Sequence, residues 1–252
     1  MSLPSLLLLA AVGAGEPPIC TDRPAKANAV CTVPRGRFQI ESSAAGWSRL
    51  EEGATRIDTL TAGSSVLKYG LSDRSDLQVG LTPYVRIRSE GRTTSGVGDV
   101  VVRYKQRLSG DGAPIQVALI PFVKLPTAKR GIGNRKLEGG LAASASFSLG
   151  GGVTATVGPE LDLLADGDGR GRHVALVNVV NLSMPVAPRL TLAGELWSNL
   201  TFDPAGTAKQ ASADTAVAYA VSNRTQLDMG VNAGLTRDTP DLELYAGMSL
   251  RF

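Results

Sequence analysis

The sequence predicts an all-β fold: a transmembrane antiparallel β-barrel of about twelve strands. Three observations predict it. Apolar and polar side chains alternate with the two-residue period of strands almost everywhere after residue 36. The connections between alternating runs sort into a short set and a longer set. The chain closes on LYAGMSLRF, where Leu244, Ala246, Met248, Leu250 and Phe252 share one face and Glu243, Tyr245, Gly247, Ser249 and Arg251 the other. A lipocalin-like barrel or a sandwich would share the alternation, but neither has a reason to sort its connections.

Residues 1–15 read as a signal peptide. Leu6 to Val12 form an apolar core too short to cross a bilayer as a helix, and small residues follow. No Lys or Arg precedes that run, and a buried N-terminal strand or helix is the competing reading. Residues 16–35 read as a periplasmic segment able to plug the lumen. The two cysteines of the chain, Cys20 and Cys31, fall in it. In an oxidising periplasm they could pair, which would contribute about 2–3 kcal/mol for so short a loop. Two unrelated thiols are the alternative.

Residues 36–252 read as the barrel. The expected strands are 36–47, 55–70, 75–89, 97–108, 113–126, 137–149, 152–164, 172–184, 188–201, 212–222, 225–237 and 241–252. The alternation is clearest in DLQVGLTPYVRIRSE, where Leu77, Val79, Leu81, Pro83, Val85 and Ile87 oppose Gln78, Gly80, Thr82, Tyr84, Arg86 and Arg88. In KLEGGLAASASFSLG, Leu137, Leu141, Ala143, Ala145, Phe147 and Leu149 oppose Glu138, Ser144, Ser146 and Ser148. The second and eighth runs alternate poorly. Connections after even-numbered strands are short: LSDRSD, SGDGAP, GGG, VAP and NR. Most of those after odd-numbered strands are longer and more polar: SRLEEGA, EGRTTSG, AKRGIGNRK, ADGDGRG and DPAGTAKQASAD; the last, DTP, is short. Tight periplasmic turns and longer outer loops are the habit of outer-membrane barrels. The apolar face then meets lipid and the polar face lines a lumen. Phe38, Tyr69, Phe147 and Phe252 fall near the inner ends of strands, and Trp47, Phe122 and Phe202 near the outer ends. They form a thin aromatic girdle, since aromatics are only 5% of the chain.

Composition fits. Hydrophobic residues are 43% of 252 and charged residues 19%, with 29 glycines for turns. The formal charge of +3, with no basic patch among aromatics, argues against nucleic acid as a partner.

Five stretches, in order, resemble the family of outer-membrane transporters named for the meta pathway of phenol degradation: TDRP (Thr21 to Pro24), TVPRGRFQIE (Thr32 to Glu41), YGLSDRSDLQVGL (Tyr69 to Leu81), SGVGDVVVRYKQRL (Ser95 to Leu108) and PFVKLPTA (Pro121 to Ala128), followed by the Phe252 terminus. The resemblance implies a signal peptide, a barrel in the bacterial outer membrane and a transport role, with no catalytic residues to carry over. The cysteines are not part of the matching pattern.

Parity assigns the lumen. Arg86, Arg88, Arg103, Lys105, Arg107 and Lys124 are expected to face inward from strands three to five, with Asp99 among them. Glu138, Glu160, Asp162 and Glu195 are expected to face inward from strands six to nine. A basic arc would oppose an acidic arc and set a transverse field across the pore, which orients dipolar solutes. Hairpin offsets predict a row Lys124–Glu138–Asp162 near the outer end, in which the lysine offsets repulsion between the carboxylates. Solvated wall charges with no selective role are the simpler alternative. Phe252 is expected to serve as the insertion signal read by the barrel-assembly machinery.

Other motifs carry less. His173, the one histidine, could serve a barrel hydrolase only with a serine and a carboxylate beside it, and a polar rim residue is the plainer reading. DGDGRG (Asp166 to Gly171) lacks the distal acid of a calcium loop. AKRGIGNRK, with Lys129, Arg130, Arg135 and Lys136, could meet lipopolysaccharide phosphates or simply be solvated. SGVGDV precedes no helix, so it is not a phosphate loop. One histidine and two cysteines argue against a structural metal, and no cofactor is implied. The expected function is passive passage of small solutes, aromatic or hydrophobic compounds among the candidates, with outer-membrane lipid and lipopolysaccharide as surroundings. A sealed structural or adhesion barrel is the alternative, and an enzyme is not expected.

Overall fold

The structure, a computed structural model, describes residues 17–53 and 55–252. The expected signal segment 1–15 lies outside the described residues. Fourteen strands run in chain order: β1 (Phe38–Glu52), β2 (Thr55–Ser72), β3 (Ser75–Leu81), β4 (Tyr84–Ser89), β5 (Arg92–Gly96), β6 (Val100–Arg107), β7 (Ile115–Leu125), β8 (Glu138–Gly150), β9 (Val153–Ala165), β10 (Arg172–Ala187), β11 (Leu190–Asp203), β12 (Gly206–Ser222), β13 (Thr225–Gly234) and β14 (Leu242–Arg251). Each pairs antiparallel with its neighbours, and β1 pairs with both β2 and β14, so the sheet closes. Both β3 and β4 lie along β2 and form one broken stave; β5 and β6 form the next. The result is a closed twelve-stranded antiparallel barrel.

Its inside and outside are inverted relative to a water-soluble domain. Leu67, Leu77, Val79, Leu141, Leu161, Leu182, Leu227 and Met248 are exposed, whereas Gln39, Glu41, Lys68, Asp76, Gln78, Lys105, Glu195 and Arg251 are buried. Apart from β5, which pairs only with β4, closure leaves no strand with an open edge, and the apolar exterior has no stable partner but lipid. This is a barrel of the bacterial outer membrane. The end that carries Phe38 and Phe252 is the periplasmic one, with two-residue turns at 73–74, 151–152, 188–189 and 223–224. There Phe38 exchanges backbone hydrogen bonds with Phe252 (3.1 and 3.0 Å), and its ring centroid lies 4.6 Å from that of Tyr69.

The connections depart from the expected sorting. SRLEEGA, EGRTTSG and DPAGTAKQASAD are mostly strand, because β1–β2, β4–β5 and β11–β12 stay paired up to short hairpins. Polar composition resembles loop where a barrel strand rises above the membrane into water. Conversely, SGDGAP sits in a seven-residue periplasmic connection, 108–114, and DTP in a seven-residue outer one, 235–241.

A line of irregularities crosses four neighbouring staves. Ala44 is an extra residue in β1 relative to β14. Across from it in β2, Gly63 has φ +68°, a left-handed conformation that other residues adopt only with strain, and lies against the Pro83 ring. Pro83 has no N–H to give a ladder, so the stave breaks between β3 and β4. The next stave breaks at Val97–Asp99, where Gly98 N donates to Thr82 O at 2.8 Å. Each irregularity reverses the alternation above it. Leu81 and Tyr84 therefore face the same way, as the pairs Ser65–Leu81 and Ala62–Tyr84 require.

Candidate functional site: a charged lumen filled by residues 17–35

The N-terminal segment threads the lumen, and its charges match the wall. On the side of β2 and β6, the Asp22 carboxylate accepts from Lys68 Nζ (2.5 Å) and Lys105 Nζ (2.6 Å). Lys68 also meets Glu41 (2.5 Å), whose carboxylate accepts the backbone N–H groups of Asp22 and Arg23 at 3.1 and 3.2 Å. On the side of β11 to β13, Arg23 pairs with Asp228 (2.5 Å) and Lys26 with Asp214 (2.9 Å). The Glu195 carboxylate accepts the backbone N–H groups of Lys26 (2.9 Å) and Ala27 (3.0 Å). Asp76 accepts from Val33 N at 2.9 Å, and Ser144 donates to Asn28 O at 2.5 Å. The Lys26 ammonium lies 4.5 Å from the centre of the Trp197 ring.

So the segment presents an acid to the basic wall and two bases to the acidic wall. Taking a charge out of water costs several kcal/mol unless it is paired. Lys68, Lys105, Asp228 and Asp214 find their opposite charges on the segment, and Glu41, Glu195 and Asp76 accept its backbone N–H groups, which offsets that cost only in this seating. Gly247 makes room: a Cβ there would collide with the Arg23 guanidinium. Cys20 and Cys31 are joined in a disulfide that ties the segment into a loop. Burial pushes the Asp22 carboxyl up, but the charges of Lys105 and Lys68 outweigh it and hold it well below the usual carboxylate range.

Above the segment a second set of contacts draws the outer connection 126–137 inward. Lys124 Nζ lies 2.7 Å from Asp99 and 3.2 Å from Glu138, and donates to Asn134 Oδ1 at 3.0 Å. Ala128 N donates to Asp99 (2.8 Å), and Lys129 Nζ to Ser95 O (2.7 Å). These bonds pull the connection 126–137 onto the inner face of β5, so Lys129 points back at the barrel.

Of the residues assigned to the lumen by parity, Arg103, Lys105, Arg107, Lys124, Glu138, Glu160, Asp162 and Glu195 face inward. Arg86 and Arg88 do not. They pair in register with Leu60 and Asp58 on the outer surface, because the break at Pro83 reverses the alternation above it. The row Lys124–Glu138–Asp162 is also corrected. Lys124 and Glu138 are direct partners, but Asp162 lies opposite Gly140, displaced along the strand. Asp99, expected as the one acid among the basic residues, is the partner of Lys124. Phe122 belongs to the lumen, 5.8 Å from the Arg103 guanidinium, and not to an aromatic girdle. Sequence reading missed Lys68, Glu41, Asp76, Asp214 and Asp228; their inward parity was available, but not the segment that meets them.

A polar cavity of about 270 Å³ remains beside the segment, lined by Thr21, Arg23, Asn28, Asn181, Thr191 and Gln226. Larger apolar depressions lie on the lipid side. At the outer rim, His173 Nδ1 is 2.9 Å from Asp166 and 3.6 Å from Asp203. These three groups lie within 4.8 Å of one another and are those among the described residues with metal-ligand character. The Asp203 carboxylate already serves local contacts, accepting from Gly167 N and Ala205 N at 2.8 Å.

Comparison with known proteins agrees with this architecture. A family model described as "Putative MetA-pathway of phenol degradation" matches residues 21–252. The chain belongs to this family. The match begins within the lumen segment and takes in residues 21–35 of it. Among solved structures, the COG4313 outer membrane channel from Pseudomonas putida F1 superposes with a TM-score of 0.71 at 17% identity, over 91% of this chain and 100% of that one. The NanC porin superposes at 0.53 with 8% identity, over 84% of this chain and 98% of that one. The translocator domain of the autotransporter NalP from Neisseria meningitidis superposes at 0.53 with 13% identity, over 87% and 90%. These likenesses show the barrel fold. No curated protein matches the chain.

Proposed function

We propose that this family member is an outer-membrane channel for small solutes, held shut by residues 17–35 and opened when they shift. The observation that carries the reading is charge complementarity: Asp22 toward Lys68 and Lys105, Arg23 and Lys26 toward Asp228 and Asp214. A segment seated by ion pairs can be displaced by competing charge or by loss of one partner, which a covalently closed or apolar core cannot. The polar cavity beside it suits small solutes that carry hydrogen-bonding groups, and phenolic compounds fit that description through their hydroxyl. The family description and the channel from Pseudomonas putida F1 support the same class of role. No enzymatic step is proposed. His173 is held by two carboxylates, and no serine is among its hydrogen-bond partners in the described residues.

The test is single-channel recording in planar bilayers, comparing the intact protein with a variant lacking residues 17–35. Small or rare openings in the first and steady conductance in the second are expected. A variant that folds and never conducts would favour the second reading, a sealed structural barrel, which the density of contacts inside the lumen also suits. We further propose lipopolysaccharide as a neighbour of the barrel and the barrel-assembly machinery as the reader of Phe252.

A further inference from the structure

The irregularities at Ala44, Gly63 and Pro83 leave four arginines on the outer surface of three neighbouring staves. Along the outward rows, Trp47 pairs with Leu60 and Leu60 with Arg86; one level up, Arg49 pairs with Asp58 and Asp58 with Arg88; above these, Glu51 pairs with Arg56. Trp47, Leu60 and all four arginines surround one depression of about 170 Å³.

We propose that Arg49, Arg56, Arg86 and Arg88 form a binding site for the phosphate groups of an outer-leaflet glycolipid of the lipid A type. The site deepens the reading that lipopolysaccharide neighbours this barrel, and rests on it.

Depth is the first reason. From the periplasmic rim at Tyr69 to Leu60, β2 climbs nine residues, about 30 Å along the strand and about 23 Å along the membrane normal at a ~40° tilt. The apolar band of such barrels is about 25 Å tall. The arginines therefore begin where hydrocarbon ends and headgroups start. Trp47 marks that boundary, with the Arg49 guanidinium 4.9 Å from its ring centre.

Charge is the second. Arg49 and Arg56 share one carboxylate, Asp58, at 3.0 and 2.9 Å, and Glu51 reaches Arg49 only at 4.0 Å. Arg86 and Arg88 have no carboxylate within ion-pair distance among the described residues. Four guanidinium groups against two carboxylates leave a net positive patch of planar donors, the geometry that suits phosphate.

Asymmetry is the third. Elsewhere on the outer parts of the wall the outward side chains are mostly apolar, with Phe202, Leu163, Val174 and Leu137 exposed there, and the cations stand singly: Arg172 beside Leu137 and Val174, and Lys209 opposite Leu200. A belt required merely by contact with water would run evenly round the barrel; the cluster of four lies on β1, β2 and β4.

The test is native mass spectrometry of the full chain in dodecyl maltoside, titrated with bisphosphorylated lipid A, its dephosphorylated form, or phosphatidylglycerol. Bisphosphorylated lipid A should bind best. The double variant R86Q/R88Q should lose about tenfold in its retention, while Arg237→Gln on the outer connection 235–241 should lose none. Heat-modifiable migration confirms that the variants fold. Equal retention by R86Q/R88Q, or equal binding of dephosphorylated lipid A, would overturn the site. Displacement of lipid A by excess inorganic phosphate alone would also overturn it, by showing a free-anion site. If lipid A binds the double variant and the parent alike, lipopolysaccharide stands as a neighbour and only this site falls. If neither binds, both readings fall.

Discussion

Arg23 and Asp228 are 205 residues apart in the chain, and their side chains meet at 2.5 Å inside the barrel. The pair fastens the N-terminal segment to β13. Asp228 is fully buried at its side chain, so removing Arg23 strands a carboxylate in the lumen wall. Arg23→Gln should weaken seating of the segment by about 3–5 kcal/mol, and Asp228→Asn in the same chain should recover part of that loss. The measurement is open probability in planar bilayers. A single variant as quiet as the parent would remove this pair from the closing contacts.

The pH dependence of closure follows from Asp22. Its carboxyl is held below the ordinary range by Lys105 and Lys68 despite burial. A depressed value in the seated state means the contribution is complete above the ordinary carboxylate pKa of about 3.9 and disappears only as pH falls through the depressed value. The Asp22 contribution to closure should therefore stay constant from about pH 7.5 to 4.5. Asp22→Asn should open the channel across that whole range. Opening of the parent at pH 5 would show that another group controls seating.

Lys124 holds the outer connection 126–137 through Asp99, Asn134 and Glu138. Lys124→Gln removes the shared cation and leaves two carboxylates facing each other. Trypsin should then cut after Lys129, Arg130 or Arg135 several times faster than in the parent. Unchanged cleavage would mean the remaining bonds, such as Ala128 N to Asp99, suffice.

The two faces of β3 can be told apart by arginine. Leu81→Arg, opposite Ser65 and four residues above the rim at Tyr69, places a charge in lipid near mid-depth and should cost about 2–4 kcal/mol of folding stability. Gly80→Arg points inward, where the nearest atoms to a new Cβ are 3.7 Å away, and should cost far less. Urea titration in detergent or liposomes measures both. Equal losses would mean that the outer face is not a lipid face.

Phe252→Ala removes a ring 6.5 Å from that of Phe38 at the periplasmic rim, while the backbone bonds between the two residues can persist. The heat-modifiable folded band in outer-membrane fractions should fall several-fold if the ring is read during insertion. An undiminished band would show that closure of the β1–β14 seam suffices.

By itself the sequence determined the barrel. Strand side chains alternate by covalent geometry, so Leu77, Val79 and Leu81 against Gln78 and Gly80 define two faces wherever the strand stays regular. The same period put Lys105, Lys124, Glu138 and Glu195 in the lumen, and made Lys124 and Glu138 neighbours through one hairpin. Only tertiary structure decided what those charges do. Alternation is a local rule and resets at each irregularity: Ala44 and Gly63 give no signal that they face one another across a bulge, and Pro83 marks a break without saying that Arg86 and Arg88 leave the lumen. Which strands would outrun the membrane was also hidden, since a polar paired arm and a polar loop have similar composition. The match of Asp22, Arg23 and Lys26 to Lys68, Asp228 and Asp214 joins residues up to 205 positions apart. It exists only once the barrel has closed, because closure is what brings the two wall arcs to opposite sides of one short segment.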